Sequence, residues 1–428
     1  MSKILGISCF YHDSAISLID NGNIIFASQE ERFTRKKHDS VFPVNSIKHA
    51  IENFNLKFSE IDKIVFYEKP NLKFNRLIST YLNYAPKGIN SFMEAATLWL
   101  NGKLNQKKIL FEEIKKIDEK FDKKNKISFC EHHISHAASA FYPSPFKEAA
   151  ILTLDGVGEW ATTTLGYGNN NDIKIFEELK FPHSLGLLYS AFTNFLGFKV
   201  NSGEYKVMGL APYGDAKYKD IILNNLIDVK DDGSFCLNMK YFDYPVGFKM
   251  INKNFEDLFK NKSRIAEKEN ITQFHMDIAA SIQEVTEDIL IKIVNYLIKK
   301  TGLKKLCLAG GVALNCVANG KLLKKKIIDD IWIQPAAGDA GGSLGCALYE
   351  HFKINNNKRD LNINHNFMKG AYLGPSYSDD YVEKKLKEFG ADFKKLSYVE
   401  IISETVDNLI KKKAIGWFQG RMEFGPRA

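Results

Sequence analysis

Three short apolar runs joined by tight turns open this chain, and the same order of elements returns in its middle, which leaves few architectures open. The first runs, Lys3–Ser8, Ala15–Asp20 and Asn23–Gln29, read as strands, with Asn21 and Gly22 as a two-residue hairpin turn between the last two. A helix over about Asn45–Asn55, a strand at Lys63–Tyr67, a mixed helical region from roughly Asn71 to Lys120 and a strand at Ile127–Cys130 follow. The second set has strands at Ala149–Leu154, Ala161–Gly168 and Ile173–Glu177, then helices over about Leu185–Leu196 and Met276–Lys300. A strand at Lys305–Ala309, a helix opening at Val312, a strand at Ile328–Ile333 and a helix over Gly342–Phe352 complete it. Only the order repeats; the residues do not.

Such a repeat predicts two similar α/β lobes with a cleft between them, the architecture of actin and the sugar kinases. A chain of 428 residues is too long for one core and fits about two to three domains. We expect a first lobe over residues 1–148, a second over 149–355 and a polar, Asn-rich linker over 356–367. Residues 368–428 hold a strand-like MKGAYLGP, helices at Ser378–Phe389 and near Val399–Lys412, and a strand at Ala414–Gln419. A piece of that length, ending in the loop GRMEFGPRA, is too short for a complete domain, and Ala428 is expected to be an artificial end.

A content of 45% hydrophobic and 26% charged residues is that of a globular protein. The net charge of +8 comes from scattered lysines, and the runs Lys324–Lys326 and Lys411–Lys413 read as solvated helix ends. That charge is compatible with a polyanion such as ATP, while the lack of a basic stripe interleaved with aromatics argues against nucleic acid. Cys9, Cys130, Cys236, Cys307, Cys316 and Cys346 form no CxxC pair and lie mostly in apolar elements, as reduced cysteines of a cytoplasmic protein do. The start MSKILGISCFYHDS reads directly as a strand and not as a signal peptide, and no apolar run reaches the ~18 residues of a membrane span.

The stretch EHHISHAASAF puts His132 and His136 four residues apart, on one face of a helix, with Cβ atoms about 5–6 Å from each other. Asp155 ends the apolar strand of ILTLDGVGEW, and Asp339 lies in the Gly-rich turn QPAAGDAGGSLG. Two imidazoles and two carboxylates suit Fe(II), Zn(II) or Mn(II), and the set leans towards Fe(II). The alternative is a helix-capping His132 and a satisfied core His136; His133 points elsewhere on the helix and reads as structural.

In AGGVALNCVANG, Gly310 and Gly311 allow close backbone approach at a helix N-terminus, and Asn315 can read a ribose or base. Gly341, Gly342 and Ser343 repeat the arrangement one βα unit later; tight helix packing is the other use of such glycines. SCFYHDSA carries His12 and Asp13 between the first two strands, either as a general base or anion holder or as a turn-stabilising pair. EERFTRKKHD offers Arg32, Arg35, Lys36 and Lys37 to an anionic substrate, or else forms a charged surface turn. NSGEYKVMGLAPYG is loop-like, and its pattern alone fixes no role.

These segments, ISCFYHDSA, EERFTRKKHDSVFP, HHISHAASAFYPSPF, TLDGVGEWATT, GEYKVMGLAPYG, GGVALNCVANGKL, PAAGDAGGSLGCA and GWFQGRMEFGPRA, together resemble the nodulation-type O-carbamoyltransferases, a family that includes carbamoyltransferases of antibiotic biosynthesis. The amino-terminal part is similar to the tRNA threonylcarbamoyladenosine transferases. The resemblance implies a two-lobed actin-like ATPase (ribonuclease H-like) α/β fold, followed by the truncated start of an α+β adenylate-forming domain. It implies carbamoyl-adenylate made from carbamoyl phosphate and ATP, with Mg²⁺ accompanying the ATP, and transfer of the carbamoyl group to a hydroxyl of a small molecule or sugar. By matching positions, His132, His136, Asp155 and Asp339 look like ligands of an Fe(II)-type ion and His12 like a transfer-site histidine. Asn315 and its neighbouring glycines look like adenosine contacts, and Lys37 and Arg427 carry over to handling of carbamoyl phosphate or the adenylate. A chain ending at Ala428 is expected to lack the adenylate-forming step and keep the transfer step.

Two other readings use the same residues. A metallopeptidase would need a glutamate between the paired histidines, and His133, Ile134 and Ser135 stand there instead. A non-catalytic nucleotide-binding actin-like module would need only Mg²⁺ held by phosphates and carboxylates, which leaves HxxxH unexplained. The identity of the acceptor is not written in the sequence; homo-oligomers are compatible with it, and a membrane partner is not expected.

Overall fold

The computed structural model describes residues 2–100, 102–359, 361 and 367–426. Strands β1 (Lys3–Ser8), β2 (Ala15–Asp20) and β3 (Asn23–Gln29) form an antiparallel run. Asn21 (φ 49) and Gly22 (φ 82) both take the left-handed conformation that a tight hairpin turn of the twisted I′ kind requires. Helices α1 (Glu31–Thr34) and α2 (Val44–Asn53) precede β4 (Lys63–Phe66), which lies parallel to β1. Helices α3 (Pro70–Tyr84), α4 (Ile89–Leu100) and α5 (Gln106–Lys115) lead to β5 (Ile127–Phe129), parallel to β4, and α6 (His132–Phe141) follows.

The second set opens with the antiparallel strands β6 (Glu148–Leu154), β7 (Ala161–Asn169) and β8 (Asp172–Lys180). Helices α7 (Leu185–Phe195), α8 (Glu204–Leu210) and α9 (Lys219–Asn225), a small hairpin of β9 (Ile227–Val229) and β10 (Phe235–Leu237), and α10 (Lys253–Phe259) come next. The long α11 (Gln273–Thr301) leads to β11 (Lys305–Ala309), α12 (Cys316–Lys324), β12 (Asp330–Ile333) and α13 (Asp339–Tyr349). Strands β6, β11 and β12 run parallel.

The first sheet has the order β3-β2-β1-β4-β5 and the second β8-β7-β6-β11-β12. Each is an antiparallel three-strand run extended by two parallel strands beside its first member. That is the ribonuclease H-like topology twice over, and the fold is the two-lobed actin-like α/β fold.

Both faces of β6 are covered. Ala149 and Ile151 belong to the core shared with the first sheet, while Ala150, Leu152 and Leu154 belong to a second core with α7 and α11. This explains why the strand is apolar without alternation. Helices α6 and α13 pack together between the sheets. A Cβ on Gly345 would lie 1.7 Å from the Ser135 carbonyl oxygen, and one on Gly6 of β1 would lie 1.8 Å from that of Ser343. Glycine at these positions lets backbone approach backbone.

Helices α14 (Asp379–Glu388) and α15 (Tyr398–Ile410) bury none of their residues. Two expected strands are absent. In MKGAYLGP the chain makes a helical turn at Lys369–Ala371, and Leu373 merely accepts the Ala27 N–H at the edge of β3. Ala414–Gln419 has no pairing strand among the described residues and leaves Trp417 and Phe418 exposed, and without a hydrogen-bonded neighbour no ladder forms. No helix among the described residues is long and apolar enough to cross a membrane.

Candidate metal centre and its cleft

Helix α6 is anchored at both ends by opposite charge. The Glu159 carboxylate accepts the His132 N–H at 3.0 and 3.1 Å and the Lys69 N–H at 2.8 Å. Beyond the other end, the buried Arg359 guanidinium donates to the carbonyls of Phe141, Tyr142, Ser144 and Phe146 at 2.6–2.9 Å. An anion at the positive end of the helix and a cation at the negative end both complement its dipole. Arg359→Met leaves several buried carbonyls without a donor. It is expected to cost at least about 3 kcal/mol in urea unfolding, and a loss below about 1 kcal/mol would refute this anchoring role.

The anchored helix presents His132 and His136, with Nε2 atoms 3.0 Å apart. His132 Nε2 lies 3.1 Å from Asp155 Oδ2 and 3.6 Å from Asp339 Oδ1. His136 Nε2 lies 3.8 Å from each of the same two oxygens. All four donor atoms fall within 4.8 Å of one another. Edges of this length match a coordination polyhedron with donors about 2.0–2.2 Å from one ion. Without a cation the cluster is electrostatically costly. Burial, with Asp155 beside it, pushes the Asp339 carboxyl up to about 6, although His12 opposes the shift. Burial would also raise Asp155, but His132 and His136 hold it well below the usual carboxylate range. The residues fit a divalent ion of the Fe(II), Mn(II) or Zn(II) kind. His133 is not part of the set: its Nδ1 meets the Thr153 hydroxyl at 2.6 Å in a buried polar network.

His12 borders the cluster. Its Nδ1 is 2.8 Å from Asp13 Oδ2, and its Nε2 is 3.5 Å from Asp339 Oδ2. His38 Nδ1 holds the other Asp13 oxygen at 2.8 Å. Burial would lower the His12 pKa, but the Asp339 and Asp13 carboxylates raise it to about 9. The turn that carries His12 is strained, with Phe10 at φ 74 and Asp13 at φ 51.

The other candidates divide. Gly310, at φ 90, lies so close to β6 that a Cβ would sit 2.1 Å from the Leu154 carbonyl oxygen. The Gly311 N–H donates to Asp155 Oδ1 at 3.1 Å and so orients that carboxylate. Asn315 caps α12 by accepting the Ala318 N–H at 3.1 Å, and its amide exchanges hydrogen bonds with Gln283 of α11. Gly341, Gly342 and Ser343, expected at an open phosphate turn, are buried in helix packing. Gly342 abuts Tyr67, and the Ser343 hydroxyl meets that of Ser17 at 2.9 Å. Lys37 is exposed, 5.5 Å above the Tyr205 ring of α8, with no contact to the four ligands. Arg32, offered above to a substrate, is buried and donates to the Gly425 carbonyl at 2.7 Å and to Glu31 at 2.6 Å. Its work is to hold the C-terminal turn against the first sheet. Arg427 lies outside the described residues.

Glu159 and Arg359 stand out in no sequence motif as functional residues, nor do Glu68, Lys73 and Arg76 beside the cleft. For the last two a signal existed: they stand three residues apart just after Pro70, hence on one face of α3.

Fold and site define an actin-like two-lobed protein with a His₂Asp₂ cluster in its cleft. The chain belongs to the carbamoyltransferase family: the family described as "Carbamoyltransferase N-terminus" matches residues 3–348. An uncharacterized protein of Synechocystis sp. is 52% identical over the whole chain, which spans 70% of that relative. The nodulation protein NolNO of Sinorhizobium fredii is 35% identical over 98% of the chain, which spans 57% of that relative. Among solved structures, component A of the Acidaminococcus fermentans (R)-2-hydroxyglutaryl-CoA dehydratase is 16% identical with a TM-score of 0.42, over 83% of this chain and all of that one. That likeness bears no functional weight.

Proposed function

We propose that this chain carries out carbamoyl transfer, moving a carbamoyl group from carbamoyl-adenylate to a hydroxyl of a small molecule or sugar. Carbamoyl-adenylate would come from carbamoyl phosphate and ATP with Mg²⁺, on an adenylate-forming domain that residues 368–428 would begin. The observation that carries the reading is the convergence of His132, His136, Asp155 and Asp339 beside His12 in a chain of this family. These four residues would hold a divalent ion such as Fe(II), which supplies positive charge to the leaving phosphate or the carbamoyl carbonyl.

His12 does the proton work. Asp13 fixes its Nδ1; an ion held by Asp339 would offset the carboxylate charge that keeps His12 protonated near neutral pH, and the freed Nε2 would then take the proton of the acceptor hydroxyl. The acceptor oxygen bonds to the carbamoyl carbon, the bond to the phosphate oxygen breaks, and AMP leaves. Gly310, Gly311 and Asn315 would flank the adenosine where α12 opens, and Lys37 would close on the phosphate from the rim of the first lobe. The burial of His132, His136 and Asp339, beside a partly buried Asp155, would keep bulk water from the reacting carbonyl.

The test supplies carbamoyl-adenylate to the Fe(II)-loaded chain with a panel of hydroxyl compounds and follows AMP release. His12→Ala is expected to lower release at least about 100-fold while metal content stays unchanged. Equal release from both proteins would sink the assignment.

A further inference from the structure

The turn after β6 has two flanks. On one, Asp155 receives the Gly311 N–H, next to the glycines proposed for the nucleotide. On the other, three residues further on, the Gly158 carbonyl accepts from Arg76 Nη1 at 2.5 Å. Gly158 itself presses on the metal centre, since a Cβ there would lie 2.9 Å from the rings of His132 and His133.

Arg76 is half-buried, with one face of its guanidinium 5.2 Å from the Phe181 ring. Its other N–H groups have no protein partner among the described residues, and no carboxylate pairs with it there. One turn earlier on α3, Lys73 is bound to Glu68 at 2.5 Å and stands 5.1 Å over the Tyr11 ring. Lys103 adds a further cation without a carboxylate partner among the described residues, its pKa lowered by burial and by Lys73. A half-desolvated guanidinium with free donors is suited to receive an oxyanion. Further along α3, Leu77 and Tyr81 line a mostly apolar cavity with Phe92, Val246 and Phe248, which Arg76 itself does not line.

We propose that Arg76 is a specificity-determining residue that binds an anionic group, phosphate or carboxylate, carried by the hydroxyl-bearing acceptor. The word acceptor rests on the carbamoyl-transfer reading; the anion site does not. The acceptor would enter on the Arg76 flank while the nucleotide occupies the Gly311 flank, so the two reach the cluster from opposite sides.

The test is calorimetric titration of the metal-loaded chain with glycerol 3-phosphate, with glycerol as the neutral control and AMP as the donor-side anion. Glycerol 3-phosphate is expected to bind and glycerol not to. Arg76→Gln should weaken glycerol 3-phosphate at least about tenfold, Arg76→Lys should recover part of the loss, and AMP should stay within about twofold. Circular dichroism checks that both variants fold. The proposal is overturned if wild type fails to bind glycerol 3-phosphate at tens of millimolar, or if Arg76→Gln binds it as wild type does. An equal loss for AMP also overturns it, because the anion would then be the donor's phosphate. No arm requires turnover, so failure of the transfer assay leaves this measurement interpretable.

Discussion

Asp339→Asn is expected to reduce Fe(II) affinity at least about 100-fold while making the metal-free protein more stable at pH 8, by about 1–3 kcal/mol. The opposite signs have one cause. Asp339 is 2% exposed and faces Asp155 inside the same cluster. With an ion present, its charge is what binds; without one, the charge is a buried anion next to another. Because burial raises the Asp339 carboxyl to about 6 in the folded chain, ionising it costs stability once the pH exceeds the ordinary carboxylate range, and the full cost applies above about 6. The gain from asparagine should therefore be present at pH 8, shrink near pH 4, where the unfolded carboxyl is still about half ionised, and vanish at about pH 3 and below, where the carboxyl is protonated in folded and unfolded chains alike. Asparagine keeps the shape that packs against the Tyr67 hydroxyl, 3.4 Å from Oδ2. Metal content by elemental analysis and urea midpoints of the metal-free proteins read the two effects. Unchanged metal content, or a metal-free variant less stable than wild type at pH 8, would show that the four side chains do not form a cation site.

The convergence of the ligands was legible in part. The spacing of His132 and His136 places them on one helical face, and the strand-end positions of Asp155 and Asp339 follow from their apolar runs. Their meeting depends on topology: β6, β11 and β12 are parallel neighbours, so the turns at their carboxyl ends lie along one edge of the sheet. Sequence order alone does not set that order of strands; the repeated three-strand opening does. Glycine is where the reading runs out. Gly311 and Gly342 look equivalent in the sequence, yet the first offers its N–H to Asp155 and the second abuts Tyr67 in the core. A turn that admits a ligand and one that admits another helix call for the same residue. Arg32 shows the same limit for charge. Its partners include the Gly425 carbonyl at the far end of the chain, and no local pattern distinguishes a cation aimed at substrate from one aimed at backbone. Glu159 and Arg359, which fix the helix that carries the histidines, were invisible because their partners are main-chain groups rather than complementary side chains.

Gly345→Ala is expected to damage stability and metal binding together, by at least about 3 kcal/mol and at least about tenfold. The added methyl would sit 1.7 Å from the Ser135 carbonyl oxygen and 2.9 Å from the Ser139 nitrogen, both backbone atoms of α6. Backbone in a helix cannot swing aside as a flexible side chain can, so α6 and α13 must separate. One helix carries His132 and His136, and the other begins with Asp339. Metal–donor distances tolerate only about 0.2 Å, so a shift of the helices by even half the missing space breaks the set. Gly320→Ala is the control. It lies inside α12 with nothing within 4 Å of its added methyl, and it should stabilise the chain by about 0.5–1 kcal/mol with metal affinity unchanged. Were Gly345→Ala to lose stability yet keep wild-type Fe(II) affinity, the contact between α6 and α13 would serve the core alone, and the ligand geometry would have to be held from the strand ends instead.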